Sequence, residues 1–193
     1  TTALRHNSQV QMLFEFDRVL ERQTRHSFHD AHLPLLAWSQ RYLRRHFSLP
    51  PSTMHDWLCR QLDDCRTRRG VKLNVIGPRG AAKSTVATLA FVLRMAVEGR
   101  EPYICIVSDT KDQAAMHLEN VRTELETNRL LAVDYPLSVG IGSRLNKMSL
   151  TLRNGTRIDA YGTGQRIRGR RRDSDRPSLI ICDDLQNDQH MES

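Results

Sequence analysis

Two short runs in the chain carry almost no polar residue: "YICIVS" (Tyr103–Ser108) and "LIICDD" (Leu179–Asp184), whose only polar ends are a serine and two aspartates. Continuous apolar runs of this length belong to strands buried on both faces, which occur in parallel sheets covered by helices. Helical stretches accompany them. One runs from Lys83 to about Glu98 and stops at Gly99, and another runs from Lys111 to Asn128. Ahead of both, "VKLNVI" (Val71–Ile76) reads as the first strand. Strands alternating with helices predict an α/β fold with a doubly wound, mainly parallel sheet. Further on, "MSLTLRNGTRIDAYG" reads as a hairpin whose two-residue turn takes its positive backbone angles from Asn154 and Gly155.

Before Gly70 the grammar differs. Residues 1–50 form a helical N-terminal segment: Val10, Leu13, Phe14, Val19 and Leu20 recur at roughly helical spacing, as do Leu35, Leu36, Trp38, Tyr42, Leu43 and Phe47 after Pro34. "LPPST" interrupts the pattern, and Ser52 or Thr53 is placed to cap a helix from about Met54 to Arg68. Residues 51–193 then make the α/β domain.

The chain holds 29 Lys and Arg against 22 Asp and Glu, a net charge of +7, which favours a polyanionic partner such as nucleic acid. "RYLRRHF" (41–47) could touch DNA or form the solvated face of an amphipathic helix. The four cysteines show no C-x-x-C pair and no histidine spacing suited to zinc. Cys105 and Cys182 sit inside the apolar runs, where a free thiol acts as a small hydrophobe, and a reducing compartment fits. The most apolar helical stretch, Ala87 to Val97, is broken by Arg94 and is too short to span a bilayer.

"GPRGAAKST" (Gly77, Pro78, Arg79, Gly80, Ala81, Ala82, Lys83, Ser84, Thr85) nearly matches the phosphate-loop pattern G-x-x-x-x-G-K-[S/T], with Ala82 in place of the second glycine. Standing between an expected strand and an expected helix, it would turn backbone N–H groups and the helix N-terminus toward a β-phosphate. Lys83 would reach between the β- and γ-phosphates, and Ser84 would ligate Mg²⁺. The plainer alternative is a strand-to-helix turn with an incidental Lys-Ser. "LIICDD" supplies the second half of a nucleotide site: Asp183 would hold Mg²⁺ through water and Asp184 would orient the attacking water. Its alternative is a strand end carrying two solvated aspartates. Arg79, inside the loop, could reach or sense the γ-phosphate. Arg168, in "QRIRGRRR", could stabilise transition-state charge on its own or a neighbouring subunit's nucleotide, or could contact a DNA backbone.

These stretches, with "YICIVSDTKDQAAMHLENVRTELETN" and "LRNGTRIDAYGTGQRIRGRRRDSDRP", resemble the large terminase subunits of tailed bacteriophages over about residues 52 to 193. The resemblance implies a P-loop ATPase of the additional-strand type that works as a homo-oligomeric ring on the capsid portal, with the small terminase subunit, to drive double-stranded DNA into the prohead in the host cytoplasm. It makes Gly77–Thr85 the phosphate loop, Arg79 its internal arginine, Asp183 the magnesium acid, Asp184 the catalytic carboxylate and Arg168 an arginine acting across the ring. ATP and Mg²⁺ are the implied cofactors. The catalytic acid in the family is usually Glu, so Asp188 or Glu192 could assist Asp184. The family inserts a further strand between the strand that carries the magnesium acid, here "LIICDD", and the phosphate-loop strand. Nothing after Leu185 reads as one, so the chain is expected to be a fragment lacking that strand, the family's motif that links hydrolysis to movement, and its C-terminal RNase H-like nuclease. Two other functions share these features: a helicase-like or other DNA-remodelling ATPase, and a DNA-binding assembly module with a vestigial loop.

Overall fold

The computed structural model describes residues 32–163 and 176–185, together with Arg18. The apolar pattern of residues 10–20, Arg168, Asp188 and Glu192 lie outside these residues.

The chain enters through helix α1 (Leu35–Tyr42), which begins directly after Pro34, where the fixed backbone angle of proline suits a helix start. Helix α2 (Thr53–Arg66) is capped by Ser52, whose hydroxyl accepts from the His55 amide while the His55 ring accepts from the Ser52 amide. This is a capping box with histidine where glutamate is common. After α2, residues 71–78 run without regular structure, and the expected strand Val71–Ile76 does not form. Ile76 is 91% exposed. The run pairs with no described strand and is mostly exposed, so its backbone groups are left to solvent.

The segment Thr85–Phe91 winds as a π-helix and leads directly into helix α3 (Val92–Val97). Strand β1 (Tyr103–Ser108) follows, then α4 (Lys111–Thr127), α5 (Arg129–Asp134), β2 (Ile141–Asn146), β3 (Ser149–Leu152), β4 (Arg157–Gly162) and β5 (Leu179–Asp183). The five strands form one sheet in the order β2-β3-β4-β1-β5. β1 pairs in parallel with both β4 and β5, and β2, β3 and β4 are antiparallel neighbours. The architecture is α/β with a mixed sheet. Of the hairpin's turn, only Gly155 has a positive φ, 85°, and the Leu152 amide bonds the Thr156 carbonyl. The connection is therefore three residues, Arg153 to Gly155, with glycine in the left-handed position.

Register decides which side chains share a face. Ile104 and Ile106 stand beside Ile158 and Ala160 on one side and Leu179 and Ile181 on the other. All six belong to or pack against one core with Trp38 of α1, Leu58 of α2, Val86 and Leu89 of the π-segment, Leu93 of α3 and Leu118 of α4. Among the described residues, then, the helices gather on one face, against the expectation of a doubly wound sheet. The opposite face carries a separate cluster, Tyr103, Cys105 and Tyr161, around a buried carboxylate. Asp159 accepts hydrogen bonds from Tyr103 (2.8 Å), Tyr161 (2.9 Å), Ser149 (2.6 Å) and Arg157 (Nε, 2.9 Å). Burial alone would raise its pKa, but these donors, Arg157 foremost, hold it below the usual aspartate range.

The helices are locked to one another by a buried ion network. Arg94, fully buried, donates to Glu98 (2.7 Å) and to the Leu33 carbonyl (2.7 Å) and lies 3.5 Å from Asp63. Arg66 bridges the same Asp63 and Glu98 at 3.0 and 3.1 Å. The polar residue that interrupts the apolar helix thus fastens α3 to α2 and to the entry of α1. No described helix is long and apolar enough to cross a membrane.

Candidate functional site

In sheets of parallel strands, ligands collect beyond the carboxyl ends of the strands. Here the ends of β1, β4 and β5 are stitched together. The Asp109 amide donates to the Asp184 carbonyl (3.1 Å), the Thr163 amide donates to the Ser108 carbonyl (3.0 Å), and the Thr163 hydroxyl donates to the Asp109 carbonyl (2.9 Å). Gly162 is pressed against the start of α4: a Cβ there would fall 2.7 Å from the Lys111 backbone nitrogen. That contact fixes where α4 leaves the edge.

Residues 77–84 form a loop that leads into the π-helical segment whose Thr88 reaches this edge. Gly80 has φ 77° and Ala82 φ 49°, so both occupy the left-handed region. The position where the usual loop has glycine therefore has the backbone angle that glycine serves, and alanine accepts it at a cost of about 1–2 kcal/mol. The Ala82 carbonyl takes the first helical bond, from the Val86 amide at 3.1 Å. Lys83 folds back across the loop, its ammonium donating to the Gly77 and Pro78 carbonyls at 2.9 and 2.7 Å. Arg79 lies on the exposed crown of the loop. Gly77 backs onto α2, where the terminal methyl of Met54 stands 2.6 Å from the place a Cβ would take.

The helix behind the loop meets the acidic strand end through Thr88. Its hydroxyl donates to Asp183 Oδ2 at 2.9 Å. Thr88 lies four residues, about one turn, beyond Ser84, so both project from the same side of the segment. Ser84 itself makes no hydrogen bond to Asp183. The same Oδ2 is 3.4 Å from Nε2 of His117 on α4. Asp184, exposed and with φ 53°, turns the chain immediately after β5. Aspartate tolerates this region better than most residues.

The structure thus brings the loop-bearing helix and Asp183 together, with Asp184 at the same strand end. Arg168 lies outside the described residues. Cys105 is buried as the sequence suggests, and burial pushes its thiol up to about 11. Cys182 is exposed instead, because β5 ends the described sheet and the face carrying Ile180 and Cys182 is open, with Ile180 54% exposed. Thr88, Ser108 and His117 were not legible as site residues. Thr88 could have been found from its helical spacing to Ser84, whereas His117 and Ser108 carry no motif. Among the described residues no three His, Cys, Asp or Glu side chains form a metal cage. Compared with known protein families, curated proteins and solved structures, the chain matches none.

Proposed function

We propose that the chain is the ATPase part of a phage terminase large subunit, binding ATP and Mg²⁺ between residues 77–85 and the end of β5, and using hydrolysis to move double-stranded DNA. The observation that carries the reading is the Thr88 to Asp183 hydrogen bond, which sets the helix behind a phosphate-loop-like turn against the carboxylate of an apolar strand. The left-handed Ala82 supports it. So does the position of both acids at the carboxyl edge of the parallel strands.

The donors suit magnesium, a hard cation that takes few protein oxygens and otherwise water and phosphate. Asp183 and Ser84 supply only oxygen, and Asp183 Oδ1 accepts no hydrogen bond among the described residues. When bound, the cation would neutralise charge on the β- and γ-phosphates. Lys83 would exchange its two carbonyl partners for phosphate oxygens. Asp184 would hold the proton-bearing water in line with the γ-phosphate, while Arg79 and Arg168 would counter the charge that develops there.

Asp183→Asn tests the pairing. The variant should bind ATP in chelator as well as the parent does, yet lose most of the gain that Mg²⁺ confers. An unchanged response to Mg²⁺ would remove the carboxylate from the site and the reading with it.

A further inference from the structure

Asp183 is surrounded by more donors than it uses. Thr88 occupies Oδ2 at 2.9 Å, and His117 Nε2 approaches the same oxygen at 3.4 Å without completing a hydrogen bond. Ser108, fully buried, is the register partner of Asp183 on β1, and its hydroxyl has no partner among the described residues. Two buried, unsatisfied polar atoms beside one carboxylate are uncommon, because each forfeits its hydration without recompense. Hydrogen bonds at functional sites are often long before ligand binds and close only in the complex.

His117 is placed for such a contact by the rigid part of the fold. Its side chain is 14% exposed. Ala114, Leu118 and Val121 of the same helix anchor α4 in the core, and Gly162 abuts its first residue, Lys111. The Thr88 and His117 side chains come from two separate elements and converge on one carboxylate oxygen, leaving Oδ1 on the other side.

We propose that His117 is a positioning residue: donating from Nε2, it fixes the rotamer of Asp183 so that Oδ1 faces the cation, and so ties α4 to the nucleotide site. This role rests on the nucleotide reading above. Partners that orient a ligating carboxylate ordinarily change metal affinity by about tenfold or more when removed.

The test compares the 193-residue chain with His117→Ala and His117→Gln, the glutamine keeping an N–H donor near Nε2. ATP binding is measured in chelator and then across a Mg²⁺ titration, with thermal unfolding recorded for each variant. His117→Ala should leave binding in chelator unchanged while raising the Mg²⁺ concentration for half-maximal gain by about tenfold. His117→Gln should recover most of that loss. An alanine variant with the parent's Mg²⁺ response overturns the role, as does a glutamine variant as impaired as alanine at equal thermal stability. If the parent binds ATP in a Lys83-dependent way but is indifferent to His117, this role alone fails. If the parent binds no ATP, the nucleotide reading fails first and takes this role with it.

Discussion

Ala82 shows how one backbone angle can be tested by chemistry. At φ 49° its Cβ crowds the following carbonyl, and glycine at the same place would not. Glycine also gives the unfolded chain more freedom, which offsets about 0.4–1 kcal/mol of the relief. Ala82→Gly should therefore leave stability unchanged or raise it by up to about 1.5 kcal/mol in denaturant unfolding, while Ala82→Val, β-branched and poorly suited to this region, should lose more than about 1 kcal/mol. A stabilising valine would contradict the left-handed assignment. Asp159 makes a second residue-scale prediction. Its folded pKa is depressed, so its stabilisation is present above the ordinary aspartate range and is lost as pH falls through that range to the lower folded value. Asp159→Asn should shallow the acid limb of a stability–pH profile. An unaltered acid limb would show that the tyrosines and Arg157 do not hold a carboxylate there. The loop, its Lys-Ser pair and the two acids were legible because each is a residue type at a fixed spacing. The contacts of Asp183 were not, since Thr88 and His117 reach it across 95 and 66 positions of sequence.

At the scale of elements, Tyr103–Ser108 was legible end to end, because a run of six that is apolar up to its closing serine suits a central strand. Val71–Ile76 alternates apolar residues with Lys72 and Asn74, also a strand-like pattern, and stays out of the sheet. The difference is pairing: a strand is defined by its neighbour, and composition carries no record of who that neighbour is. β5 shows the same limit. Leu179 and Ile181 pack inward while Ile180 is 54% exposed, so an apolar run expected to be covered on both faces is covered on one. Arg94 runs the other way: a charge in an apolar helix is buried, held by Glu98, Asp63 and the Leu33 carbonyl. Arg94→Ala would leave Glu98 and Asp63 short of a partner in a poorly hydrated place, and should cost about 3–5 kcal/mol in equilibrium unfolding. A loss under about 1 kcal/mol would mean that the remaining partners, Arg66 for both acids, Arg100 for Glu98 and the Leu35 amide for Asp63, satisfy them.

Across the whole molecule, the surplus of seven positive charges sets the expected behaviour toward DNA. Phosphate-directed binding should be indifferent to sequence, and with several phosphates neutralised it should weaken by about tenfold when salt is doubled from 100 to 200 mM. Two unrelated duplexes of equal length, titrated at both salt concentrations, check this. A strong preference for one duplex, or affinity flat with salt, would point away from a translocating grip. Whether residues 77–85 hold phosphate is decided by the dissociation constant of ATP with Mg²⁺ for the chain and for Lys83→Ala. A charge-assisted bond to phosphate contributes about 1.5–3 kcal/mol, so ATP should bind in a Lys83-dependent way and the substitution should weaken it by about tenfold to a hundredfold. Equal affinity of the two proteins, or no binding by either, would contradict the nucleotide reading.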